Sequence, residues 1–138
     1  VYGVSKADRE RRIAELGELL GITEALGGAI SECSHGMKQK IAIISALIHK
    51  PKLILMDEPF VGLDPVAAHQ LKNLMAEHCA AGGAIFFSTH VLEVAEKQCN
   101  KVAIIRGGKL VAYGAMDEVR GDSSLEEIFL ELEEEKAQ

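Results

Sequence analysis

The chain has 138 residues, 48% of them hydrophobic but only 4% aromatic, and a net charge of −6. Such a length suits about one domain, and its core must be aliphatic. The acidic balance, with no basic face, sets nucleic acid aside as a partner. No apolar run reaches the roughly 18–20 residues of a membrane span, and no secretory signal opens the chain. Cys33, Cys79 and Cys99 lack CxxC spacing, so reduced thiols are expected rather than a zinc site or disulfide framework. The chain starts at Val1 rather than Met, which suggests a piece of a longer protein.

From Lys6 to Leu20 the pattern predicts a helix. Ile13, Leu16 and Leu20 share a face, Ser5 with Asp8 fits a capping box, and Gly21 is a stop. Residues 22–33 read as a loop or short turn of helix. A second helix is expected over about Met37–His49, with Ile41, Ile44 and Ile48 on one face and Pro51 beyond its end. Leu53-Ile54-Leu55-Met56 is a continuous apolar run, the pattern of a strand buried on both faces in a parallel sheet. A helix over about Pro65–Ala81 follows, with Pro65 in its first turn and Gly82-Gly83 as its stop. Ala84–Phe87 reads as a second buried strand, Val91–Cys99 as a helix, and Val102–Ile105 as a third strand. Gly107-Gly108 turns the chain into a hairpin partner, Lys109–Tyr113. Two short helices are expected at about Met116–Arg120 and Ser124–Glu135. The acidic end, Glu131 and Glu133 to Glu135, reads as a solvated face. Strand–helix–strand alternation predicts an α/β fold with right-handed crossovers.

The chemistry gathers at strand ends. Leu53–Met56 delivers Asp57-Glu58 to the C-terminal end of a strand, where open α/β sheets hold ligands. Adjacent residues on an extended chain point opposite ways, so the two acids can take different tasks. One can serve magnesium, usually through water, and the other can orient an attacking water. Asp64, before Pro65, has the form of an ordinary helix N-cap. Ser88-Thr89-His90 ends the next strand, and its His would lie beside the acids if the strands are neighbours; otherwise it is a surface residue. Ser34-His35-Gly36-Met37-Lys38-Gln39 opens a helix, whose N-terminus attracts phosphate; the plain alternative is a Ser cap with a Gly. His49, His69 and His78 are expected to face solvent or be satisfied within helices. Lys38 and Lys40 are expected to be solvated, with a place near a nucleotide open to either.

In this order the pieces resemble the ABC-transporter ATP-binding subunits, in an exporter-like form. Ser34–Gln39 resembles the signature sequence, Leu53–Asp57 the Walker B strand, and Glu58 stands at the catalytic glutamate position. Gly62-Leu63-Asp64-Pro65 looks like the D-loop, and His90 matches the switch histidine of the H-loop. The resemblance runs from about residue 2 to residue 132. His35 and Met37 depart from the commonest signature, a form similar to one exporter subgroup. Leu125, Ile128, Phe129 and Leu132 form a stripe in a segment similar to the end of exporter ATPase domains, which plain packing also explains.

The resemblance implies a partial P-loop NTPase (RecA-like) domain with a mostly parallel sheet. Residues 1–50 would be part of the helical subdomain, 51–115 the C-terminal part of the ATPase core, and 116–138 a helical tail. No G-x-x-x-x-G-K-[ST] occurs, so the Walker A strand and loop are absent. ATP and Mg2+ are the implied ligands of the parent subunit, with weak binding and negligible hydrolysis in this chain alone. By the same resemblance Asp57 would serve magnesium, Glu58 the attacking water and His90 the γ-phosphate. Ser34, with His35, Gly36 and Met37, would meet a partner's nucleotide, and Asp64 would couple the two sites. The implied partners are a second ATPase domain, head to tail, and membrane permease subunits, on the cytoplasmic face of a membrane. Without the strand expected between that of His90 and Val102–Ile105, exposed sheet edges favour self-association. A soluble ABC ATPase or a non-catalytic interaction module are the alternatives.

Overall fold

Ser5 uses its hydroxyl twice at the start of the first helix. Oγ accepts the Asp8 N–H at 3.1 Å and donates to the Asp8 carboxylate at 2.8 Å. The computed structural model describes residues 3–134, apart from the side chains of Glu133 and Glu134. Tyr2, where the resemblance begins, and Glu135, in the acidic end, lie outside the described residues. Helix α1 spans Lys6–Leu19. It stops at Gly21, whose φ of 63° lets Ile22 N–H reach back to the Gly17 carbonyl at 2.8 Å. Single turns of 3-10 helix cover Thr23–Ala25 and Ile30–Glu32.

Helix α2 spans His35–Leu47, starting earlier than its apolar pattern because Ser34 is the N-cap. The Ser34 hydroxyl accepts the Met37 N–H at 3.2 Å, and the Met37 sulfur accepts the Ser34 N–H at 3.4 Å. At the far end Arg12 donates from Nη2 to the Leu47 carbonyl at 2.8 Å, tying α1 to the last turn of α2. Strand β1 (Leu53–Asp57) and strand β2 (Ala84–Ser88) pair in parallel, from Leu53 opposite Ala84 to Asp57 opposite Ser88. Between them runs α3 (Pro65–Ala80), capped by Asp64 and ended before Gly82, at φ 88°.

Contacts divide the chain into two compact units, Val1–Ser88 and Thr89–Gln138. In the first, Leu16, Leu20, Ile22, Ile43, Ile44, Leu71 and Met75 form the core, with Met56, Ile85 and Phe87 packed against it. Burial on both faces of β1 does not hold. Ile54 is 3% exposed, but Leu55 is 68% and Phe86 63% exposed. The strands alternate because α2 and α3 lie against one face, where Ile54 joins Ile43, Leu71 and Met75 around a small apolar gap. His78 likewise departs from expectation. Its Nε2 is buried without a hydrogen-bond partner, because the Gly82-Gly83 turn folds back on its ring; a Cβ on Gly83 would lie 2.2 Å from that nitrogen. His69 is exposed and lies 3.3 Å from the Asn73 amide.

The second unit begins with α4 (Leu92–Gln98). Strands β3 (Lys101–Arg106) and β4 (Lys109–Ala115) form an antiparallel hairpin. Its tip is Gly107-Gly108, with φ of 53° and 74°, the pair of positive angles a two-residue hairpin of this hand requires. Among the described residues parallel pairing is therefore confined to β1 and β2, and the two hairpin strands form a separate sheet. Helices α5 (Met116–Arg120) and α6 (Leu125–Glu134) close the unit. Ala95, Ile104, Met116 and Leu125 form its core, joined by Ile128, Phe129 and Leu132, so the apolar stripe of α6 is packing. Glu96 accepts from Arg120 at 2.6 Å and from the Leu125 N–H at 3.3 Å, which pins the start of α6. Among the described residues no helix is long and apolar enough to cross a membrane. The three cysteines are free.

Candidate active site

Parallel pairing sets Asp57 and Ser88 side by side at the C-terminal ends of their strands. The Ser88 hydroxyl bridges the two acids: it donates to Asp57 Oδ1 and accepts the Glu58 N–H at 3.0 Å. Glu58 itself is not extended. Its φ is 45°, in the left-handed region that costs a residue with a Cβ about 1–2 kcal/mol. The strand pleat therefore stops at Asp57, and the backbone leaves the extended conformation at Glu58. That corrects the expectation drawn from an extended pair.

From Glu58 the chain turns tightly. The Glu58 carbonyl accepts the Val61 N–H at 3.1 Å and the Gln39 side-chain amide at 3.4 Å. Pro59 is fully buried, and Phe60 meets Phe87 edge to face at 5.8 Å between centroids. These apolar anchors fix the loop against the core beneath β2.

Asp64 closes the loop. Its Oδ1 accepts the Ala67 N–H at 2.9 Å, and its Oδ2 takes the Lys40 ammonium at 2.7 Å. The Lys40 contact, reinforced by the Ala67 N–H, holds the carboxyl down to about 2. Lys40 is thus not a solvated lysine: its side chain is only 12% exposed, because α2 aims it across at the cap of α3.

The start of α2 lies against the same loop. A Cβ on Gly36 would fall 2.3 Å from the Gly62 carbonyl oxygen, and one on Gly62 would fall 2.8 Å from the His35 ring. Gly62 also has a φ of 79°. Both positions therefore need glycine, Gly36 for close backbone approach and Gly62 for conformation as well. So one unit gathers Ser34, His35, Gly36 and Met37 beside the Asp57–Asp64 loop. His90 belongs to the second unit, where it is exposed ahead of α4, and Thr89 Oγ1 accepts the Val91 N–H at 3.1 Å.

Ser88, Gln39 and Lys40 were expected only as a strand-end serine, the last residue of the signature-like stretch and a solvated or nucleotide-side lysine, not as the groups that hold this loop.

A family model described as an AAA domain, "putative AbiEii toxin, Type IV TA system", matches residues 18–96, more than half of the chain. The ABC-type transporter ATP-binding protein EcsA of Bacillus subtilis is 36% identical over 141 residues, covering 99% of this chain. The chain belongs to the ABC-type ATPase family. A Nod factor export ATP-binding protein of Cupriavidus pinatubonensis is 36% identical to this ABC-type chain over 82% of its length. A solved ATP-binding subunit of an ABC transporter superposes with a TM-score of 0.89 at 39% identity, covering 96% of the chain. The chain spans 57% of EcsA, 35% of the Nod factor protein and 57% of the solved subunit.

Proposed function

We propose that this chain is part of the ATP-binding, ATP-hydrolysing subunit of an ABC transporter, working in the cytoplasm against the inner face of a membrane. The observation that carries the reading is the acid pair at the C-terminal end of the parallel ladder, with Asp57 held by Ser88 and Glu58 turned out of the strand. Names of relatives support it: EcsA is an ABC-type transporter ATP-binding protein, and the Cupriavidus protein is a Nod factor export ATP-binding protein.

Asp57 offers an exposed carboxylate oxygen donor, the kind that suits magnesium, which keeps several waters and phosphate oxygens around one or two carboxylates. Bound magnesium would neutralise charge on the β- and γ-phosphates. In this reading Glu58 orients the attacking water and accepts its proton, and His90 contacts the γ-phosphate. Ser34, His35, Gly36 and Met37 face the nucleotide of a second ATPase domain bound head to tail. Asp64 couples the two sites through the part of its side chain left exposed beside Lys40. Residues 1–50 act as the signature-bearing subdomain, 51–115 as catalytic core and 116–138 as tail, and permease subunits take up the motion.

The chain by itself lacks the phosphate-cradling loop and its lysine, so its own turnover is negligible in this reading. The test is ATP hydrolysis by the product of the gene's complete reading frame. Magnesium-dependent turnover is expected there and not from the 138 residues alone. A complete product that binds ATP but hydrolyses none would overturn the enzymatic reading.

A further inference from the structure

We infer that Ser88 and Gln39 are positioning residues that clamp the Glu58 backbone in its left-handed conformation and so aim its carboxylate; the consequence for catalysis rests on the reading of Glu58 given above. Among the described residues two non-glycine positions have positive φ, Lys50 and Glu58. Lys50 lies just past α2, where its N–H bonds back to the Leu47 carbonyl at 3.1 Å, an ordinary place for such a residue after a helix. Glu58 has no helix end to explain it. It directly follows a strand and precedes Pro59, whose ring disfavours the right-handed helical region for the residue before it.

Something must hold such a residue, and the bonds are visible. The Glu58 N–H is taken by Ser88 Oγ at 3.0 Å. Its carbonyl receives the Val61 N–H at 3.1 Å and the Gln39 amide at 3.4 Å. Val61 belongs to the turn itself. Ser88 and Gln39 come from β2 and α2, 30 and 19 residues away in sequence, and so tie the turn to both neighbouring elements. Ser88 does more than hold one amide. Its proton goes to Asp57 Oδ1, so a single hydroxyl sets one acid's carboxylate and the other acid's backbone. Gln39 lies one helical turn past Ser34 and Gly36, so the helix that opens with the signature residues also supports the loop bearing the acids.

The experiment reads the φ of Glu58 directly by NMR in the 138-residue chain. Positive φ gives a strong cross-peak between an amide proton and its own Hα. The clamp predicts that Ser88→Ala weakens this cross-peak and speeds exchange of the Glu58 amide roughly tenfold, the effect of losing one hydrogen bond. Ser88→Thr, which keeps a hydroxyl, retains both signals. An unchanged cross-peak in Ser88→Ala, or a threonine variant as impaired as the alanine, overturns the inference. If Ser88→Ala fails to fold, Gln39→Ala is read in the same way: a weakened cross-peak with faster exchange supports the clamp, and an unchanged cross-peak overturns it. In the product of the complete reading frame, Ser88→Ala should lower kcat about tenfold with little change in KM. A failed clamp shows in the NMR alone. Failure of the catalytic reading shows instead as Glu58→Gln hydrolysing ATP normally, whatever the NMR gives.

Discussion

Lys40 is charged, nearly buried and satisfied by one partner, and that has a measurable pH signature. Asp64 titrates at about 2 rather than at its ordinary 3.8, first because of the Lys40 contact. A depressed carboxyl pKa contributes stability above the unfolded value, and that contribution is lost as pH falls through the folded one. Lys40→Met should therefore destabilise the protein near neutral pH, and the deficit should shrink between about pH 4 and about pH 2. Urea midpoints of the two proteins across that range check it; a deficit that stays constant would mean the ion pair is not its cause. Such partnerships were beyond the reach of the sequence. Lys40 and Asp64 are 24 residues apart, and Asp57 and Ser88 are 31 apart. Only the packing of α2 against the loop and the register of two parallel strands bring them together. The acids were legible because two carboxylates after an apolar run are chemically unusual. The hydroxyl that organises them was not, because a lone serine at a strand end is common.

At the scale of the elements, periodicity and punctuation were enough to place the described α-helices and strands. Pro65 and Gly82 bounded α3, and Gly107-Gly108 fixed the hairpin. The departures came from local chemistry that hydrophobic pattern does not encode. Helix α2 begins at His35 because a serine and a thioether cap it, and β4 runs to Ala115 because Lys101 and Val102 continue the ladder. The apolar run of β1 suggested two buried faces, yet composition alone cannot say whether a second covering layer is present. The observed alternation makes a clear prediction. Ile54→Ala should cost about 2–5 kcal/mol, as for a packed core aliphatic. Leu55→Ala, on the open face, should stay within roughly 0.5 kcal/mol. Chemical denaturation of both variants checks this, and equal losses would show that the outer face is covered in solution.

At the scale of the whole molecule, the exposed apolar side chains Leu53, Leu55 and Phe86 on the first unit's sheet favour association. Light scattering at high micromolar concentration should give a mass above that of one chain, and Leu55→Lys with Phe86→Lys should lower it. A wild-type mass of one chain throughout would refute this. The family itself was legible from the order of four short motifs, since each motif is ambiguous but their sequence along the chain is not. The proposed chemistry turns on Glu58 as the residue that activates water. Steady-state ATP hydrolysis by the product of the complete reading frame carrying Glu58→Gln probes that role most directly. A fall in kcat of about 10²–10⁴-fold is expected, the usual contribution of a general base, with ATP binding retained. Hydrolysis at the unsubstituted rate would contradict it.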